Sequence, residues 1–277
     1  MRENVHIDIV KIIEILVLSL GSIVMLFPFI WMISTSFKTP PQIISYPPTL
    51  IPKPPTLEYY TQIFTKLNFG RFFLNSGYIS VIITASALLT SSFVGYVFAK
   101  FNFWGKEVIF MMILSTMMIP FAVTMIPLYL IISKLGWINS HLALIIPGLY
   151  STFGIFLIRQ FMSSIPNELR EAAIVDGCGE FRTFWSIILP QCKPVLAALG
   201  IFTFMWNWDN FLWPLIVLNN EDKFTLPVGL SMFSQQWWTN YGLVMAGATI
   251  SVIPVLIVFF IFQKQFIQGI VLTGLKM

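Results

Sequence analysis

Residues 166–190 read PNELREAAIVDGCGEFRTFWSIILP. The interval carries Glu168, Arg170, Glu171, Asp176, Glu180 and Arg182, in a chain of which only 10% is charged, and strongly apolar runs bound it on both sides. Pro166 fits the first turn of a helix, where a missing N–H costs no hydrogen bond. Glu168 then lies near the positive helix end. Leu169, Ala172 and Ala173 recur at three- and four-residue spacing, so they share one face, small enough for another surface to approach closely. Asp176-Gly177 stops this helix, because Gly reaches φ > 0 at little cost. A second short helix is expected from about Glu180 to Leu189, with Phe181, Phe184, Trp185 and Ile188 on one side, and Pro190 ends or kinks it. Two short helices joined at a Gly make an elbow able to meet a partner in water. On spacing alone, an amphipathic loop lying on a bilayer surface fits equally well.

Outside this interval the chain reads as membrane. Of its 277 residues 57% are hydrophobic, with 27 Phe and 13 Met, and mean hydropathy is +0.81. That exceeds the apolar share of soluble domains. The net charge of +4 is read as membrane topology rather than nucleic-acid affinity. Cys178 and Cys192 both fall in or beside the central interval and are read as free thiols of a reducing compartment. Two distant His make no metal site.

The chain is expected to be all-α, one transmembrane domain over residues 1–277 with six spans at about 15–37, 72–99, 108–133, 135–158, 195–218 and 243–263. Pro28 is expected to kink the first. The run 159–194 is the central polar loop, and 38–71 and 219–242 are the outer loops. The first outer loop is Pro-rich and expected to be extended, with a short interfacial helix over 57–66 carrying Tyr59, Tyr60 and Phe64. The second holds Gln235-Gln236-Trp237-Trp238, an aromatic belt or a partner contact. The second span is rich in Ser, Thr, Gly and Ala, which lets helices approach closely in lipid. With both ends inside, the inner segments hold ten of the 16 Lys and Arg and the outer ones six. That bias puts the central loop in the cytoplasm.

The fifth span carries FMWNWDNFLWPLIVL from Phe204. An Asp facing lipid centrally costs about 2.5–3.5 kcal/mol on insertion scales, so Asp209 is expected at a polar interior or near the outer interface. Trp206, Asp209, Asn210 and Trp213 offer a carboxylate, an amide and flat aromatic faces, a mixture suited to a polyhydroxylated ligand. A Trp-rich interface anchor with a helix-packing Asp explains the same residues. No phosphate-cradling G-x-x-x-x-G-K-[ST] run, H-E-x-x-H or G-x-S-x-G occurs. The chain is therefore not expected to be an enzyme, and energy must come from elsewhere.

The pattern Glu171-Ala172-Ala173, Asp176-Gly177, Phe184, Ile187, Leu189 and Pro190 resembles the EAA loop of binding-protein-dependent ABC importer permeases, with Cys178 where Ala is common. FPFIWMISTSFK, WDNFLWPLIVL and the tail FQKQFIQGIVLTGLKM resemble parts of carbohydrate, maltose-type second permeases, although the last residues are Lys276-Met277 rather than Lys-Gly. The resemblance implies a type I ABC importer fold and a coupling helix docked on an ATP-binding subunit through Glu168 and the residues just listed. It also implies no cofactor on this chain, with ATP and Mg on partner subunits. The implied partners are a second permease, two ATP-binding subunits, an extracytoplasmic solute-binding protein and a carbohydrate, in a bacterial inner membrane. The tail is expected to break at Gly269 and by resemblance to reach the ATPase pair. A passive channel and an ABC permease for a non-sugar solute are the alternatives, and an intramembrane hydrolase has only His141 to offer.

Overall fold

The computed structural model describes residues 9–66, 68–234 and 239–274. Among the described residues no β-strand occurs, and four helical segments are long and apolar enough to cross a membrane: Val10–Ser36, Phe69–Lys100, Leu142–Ser163 and Tyr241–Lys264. Two further pairs reach that length only as bent spans, Lys106–Met118 with Phe121–Lys134 at 98°, and Glu180–Gln191 with Lys193–Trp208 at 79°.

The chain divides into two compact units. One comprises residues 1–67 and 230–252. Its helix α1 (Ile9–Ser36) continues through Pro28. A single helical turn follows, α2 (Pro40–Ile43), so the Pro-rich run is not extended throughout. The turn forms because Pro suits the first helical positions and because Thr39 N–H donates to Gln42 Oε1 at 3.0 Å. Next comes α3 (Glu58–Lys66). Tyr59 is buried against Gly242 and the Tyr60 hydroxyl pairs with Ser36, which leaves Phe64 as the exposed aromatic of the three. Gln235–Trp238 lie outside the described residues, as do Lys276 and Met277.

The other unit comprises residues 68–229 and 253–277, and it holds both stretches singled out by sequence. Its axis is α4 (Phe69–Lys100). Next are α5 (Lys106–Ser115) and α6 (Phe121–Lys134), separated where Ile119 turns extended before Pro120, a conformation favoured for a residue that precedes a proline. Residues 135–141 are not helical. Gly136 and Asn139 both take positive φ, a helix-ending conformation. The helical path resumes as α7 (Leu142–Ile145), a 3₁₀ turn, and α8 (Thr152–Ser163).

α4 and α8 pack at small residues. A Cβ on Gly95 would sit 2.7 Å from Ile158 Cγ2 and 3.1 Å from the Arg159 nitrogen, and one on Gly154 would sit 2.3 Å from Ser91 Oγ. The Gly- and Ser-rich second span is thus used for close approach. Beyond α8 come α9 (Asn167–Val175), α10 (Glu180–Thr183), a π-helical turn over Phe184–Ile188, α11 (Leu189–Gln191), α12 (Lys193–Trp208), α13 (Leu212–Val217) and α14 (Leu226–Ser231). The last helix, α15 (Tyr241–Gly274), passes Gly269 without the expected break.

Candidate functional site: the elbow and the cleft

The elbow is α9 and the segment from α10 to α11. α9 ends as the sequence requires, at Asp176, with Gly177 at φ +84°. Two hydrogen bonds close the end, Gly177 N–H to the Ile174 carbonyl at 3.0 Å and Cys178 N–H to the Ala173 carbonyl at 2.9 Å. This is a Schellman motif, and it satisfies carbonyls that the helix end would otherwise orphan. A Cβ on Gly177 would meet no atom within 4 Å. The demand for Gly is therefore conformational rather than spatial.

The second arm is not one regular helix. It opens as α10, widens into the π turn, and closes as α11 with Pro190 in its first turn. A π turn relieves the clash between a proline ring and the carbonyl four residues back. Pro190 therefore neither ends nor sharply kinks this arm. The bend comes at Cys192, ahead of Lys193-Pro194. The wider winding also splits the expected aromatic face. Phe184 is 2% exposed and Ile188 fully buried, whereas Phe181 is 70% exposed and Trp185 only half-covered. Phe184 and Ile188 join Tyr96, Ile158, Met162, Ile165, Cys192, Val195 and Leu199 in one core, with Ile187 and Leu189 packed against it. Phe93 of α4 stacks on Phe184 at 4.6 Å between centroids.

The residues of the EAA-like pattern thus divide by role. Ala173, Phe184, Ile187 and Leu189 face inward and fasten the elbow, while Glu168, Glu171, Ala172, Asp176, Gly177 and Pro190 are exposed. Leu169 and Ala172 are exposed and only Ala173 of the expected small face is buried. Val175 projects furthest, 85% exposed. Cys178 and Cys192 are both free thiols.

Several residues that hold the elbow lie outside the sequence pattern. Lys100 Nζ donates to Asn167 Oδ1 at 2.9 Å and to the Ile165 carbonyl, tying the end of α4 to the start of α9. Arg159 pairs with Glu107 at 3.0 Å and lies 4.0 Å over the Phe110 ring. Arg170 and Glu180 form an ion pair between the arms. Hydrogen bonding to Glu180 holds the Arg170 guanidinium above its ordinary, already high pKa. A charge in the last turn of an apolar helix is a sequence signal that could have found Lys100, though not the two ion pairs.

The second stretch is arranged differently. α12 stops at Trp208, and Asp209 caps it, with its N–H on the Met205 carbonyl at 3.0 Å. Asp209 therefore sits at a helix end rather than inside a continuous fifth span, and α13 begins only at Leu212. Trp206, 79% exposed, and Asp209, also exposed, lie on one side of this break. Trp213 is 5% exposed beyond it, with Nε1 donating to the Ala143 carbonyl at 2.9 Å and its ring edge-on to Phe121. The four side chains do not converge. Asn210 and Trp213 do share a small cleft with Ser76, Ile79, Ile83, Leu144, Asn207, Pro214 and Thr225. Ser76 Oγ accepts from Leu226 N–H at 2.7 Å, and the buried Thr225 hydroxyl has no partner.

The loop after α13 is laced to its neighbours. Asn75 Nδ2 donates to the carbonyls of Asp222 and Phe224, Arg71 pairs with Asp222 at 2.8 Å, and Asn139 Oδ1 accepts the N–H groups of Asn219 and Asn220. His141, the one residue offered for hydrolytic chemistry, is used here. Its Nε2 bonds the Lys223 carbonyl at 2.7 Å and its other nitrogen pairs with the Tyr78 hydroxyl. Among the described residues, no group of His, Cys, Asp and Glu could hold a metal ion.

An EAA-type elbow on a bundle of apolar helices fits one family, and residues 87–271 match the model of the binding-protein-dependent transport system inner membrane component. The chain belongs to this family. It is 39% identical to the arabinooligosaccharides transport system permease protein AraQ of Halalkalibacterium halodurans, over 79% of each chain. It is 38% identical to the lactose transport system permease protein LacG of Rhizobium radiobacter, over 93% of this chain and 94% of that one. The fold is also that of a chain in the crystal structure of a bacterial ABC transporter involved in the import of the acidic polysaccharide alginate, with a TM-score of 0.83 over 93% of this chain and 96% of the other, at 24% identity. The all-α fold expected from the sequence is the fold found, and the chain is a transporter component of a membrane.

Proposed function

We propose that this chain is one permease subunit of an ATP-driven carbohydrate importer, forming half of a translocation path and taking up work through the elbow. The observation that carries this reading is the elbow itself. It is a Gly-terminated helix whose outward residues, Glu168, Glu171, Ala172, Asp176 and Gly177, are exposed while its inward ones are fixed in the core. A buried mechanical part would have no exposed docking face, and a passive loop would not be fastened so firmly. Relatives named for arabinooligosaccharides, lactose and diacetylchitobiose support a carbohydrate cargo. Trp206 and Asp209, exposed where α12 ends, would serve a polyhydroxylated solute, whereas the cleft at Asn210 and Trp213, about 20 Å³, has room for a water and not for a sugar.

In this reading residues 1–277 are a single transmembrane domain whose loop 159–194 and both termini lie in the cytoplasm. Two ATP-binding subunits, holding ATP and Mg, dock on the elbow. A second permease supplies the other half of the path, and an extracytoplasmic binding protein delivers the sugar. ATP-driven closure of the ATP-binding pair moves the elbow and rocks the helices between two arrangements.

The test is uptake into proteoliposomes holding the complete transporter. Glu171→Ala and Gly177→Ala are expected to lower ATP-dependent uptake while the chain still inserts. Uptake untouched by both, or sugar flux through liposomes holding only this chain without ATP, would contradict the proposal.

A further inference from the structure

The ion pair between the two arms also reaches α4. Arg170 Nε donates to Glu180 Oε2 at 3.1 Å, and Arg170 Nη2 donates to Glu180 Oε1. The Tyr96 hydroxyl, from α4, donates to the same Oε2 at 2.9 Å. The guanidinium lies 4.8 Å from the centroid of the Phe101 ring, and that ring meets Tyr96 edge-on at 5.5 Å. One carboxylate therefore collects donors from two helices, a planar fork from α9 and a phenol from α4. A fork on a carboxylate fixes angle as well as distance.

The position of this cluster matters. Arg170 and Glu180 stand on opposite sides of Gly177, the residue whose freedom would otherwise let the arms swivel. The clamp closes a triangle around that pivot and makes Tyr96 its third corner. α4 is a single helix of 32 residues, and its other half lines the cleft at Ser76, Ile79 and Ile83. We infer that Arg170, Glu180 and Tyr96 are the joint through which displacement of the elbow is delivered to α4 and so to the cleft. They are positioning residues, touching neither nucleotide nor solute. The inference rests on the reading of the elbow as the docking point of the ATP-binding subunits.

The experiment measures uptake and ATP hydrolysis on the same proteoliposomes of the complete transporter. Glu180→Gln keeps the shape and removes the charge, and Tyr96→Phe keeps the ring and removes the hydroxyl. Arg170→Glu and Glu180→Arg are made singly and together. The expected result is a fall of roughly tenfold in uptake per ATP for Glu180→Gln, within the range of ordinary coupling between sites, with hydrolysis near its starting rate. Tyr96→Phe should fall in the same direction, and the reversed pair should recover uptake per ATP relative to either single reversal. Should the reversals fail to assemble, Tyr96→Phe, which preserves all ring packing, still decides. Unchanged uptake per ATP in Glu180→Gln and Tyr96→Phe, with Glu171→Ala and Gly177→Ala still impaired, overturns the joint and leaves the elbow. No effect in any of the four overturns both. A proportional fall of uptake and hydrolysis, as a merely structural role predicts, also overturns the joint.

Discussion

The elbow at 166–192 and the aromatic stretch at 204–218 look alike in sequence. Each is a polar interruption in apolar surroundings, with aromatic residues at helical spacing. The structure treats them differently. In the elbow Phe184, Ile187, Ile188 and Leu189 fall together in or against one core, while Glu168, Glu171 and Asp176 fall outside with Leu169, Ala172 and Pro190. In the aromatic stretch the helix stops at Asp209, and Trp206 and Trp213 land in unlike surroundings. Spacing can be read as proximity only within one unbroken element. The Gly that breaks the elbow announces itself, whereas nothing in Trp-Asp-Asn-Phe does.

That contrast can be attacked by substitution. The largest effect is expected for Trp213→Ala, which removes a buried ring and the partner of the Ala143 carbonyl; a loss on the order of 3–5 kcal/mol should appear as a much lower unfolding temperature in detergent. Gly95→Ala should follow, at about 1–3 kcal/mol from overpacking, because its Cβ meets the backbone of α8 as well as Ile158. Gly177→Ala should cost roughly 1–2 kcal/mol for a side chain held at positive φ and should impair coupled uptake far more than it lowers the unfolding temperature. Trp206→Ala, on the exposed side of the break, should change stability by no more than about 0.5 kcal/mol. Equal losses at Trp206 and Trp213 would erase the distinction between the two regions.

Much of the elbow was legible because its signals are local. Pro166 and Asp176-Gly177 each act within one turn of chain, whereas the spacing of Leu169, Ala172 and Ala173 did not foretell that Ala173 alone would be buried. The π turn was not legible, since Pro190 alone is compatible with an end, a kink or a widened turn, and the packing of Phe184 and Ile188 decides among them. Nor were the supports. Tyr96 and Glu180 are 84 residues apart, and no periodicity connects them. The start of the helical path at Leu142 rather than 135 was hidden because Gly136 and Asn139 leave the helix inside a run of apolar composition. The tail misled in the opposite sense, with Gly269 inviting a break that α15 does not make.

If the exposed face of the elbow docks on an ATP-binding subunit, a crosslinker carried on that face must reach it. The most direct measurement places a photo-crosslinking amino acid at Val175, the most exposed apolar residue of the elbow, and separately at Ile51 in the Pro-rich run after α1, in the complete transporter. An adduct with the ATP-binding subunit is expected from Val175 and none from Ile51. No adduct from Val175, or an adduct with that subunit from Ile51, would contradict that docking.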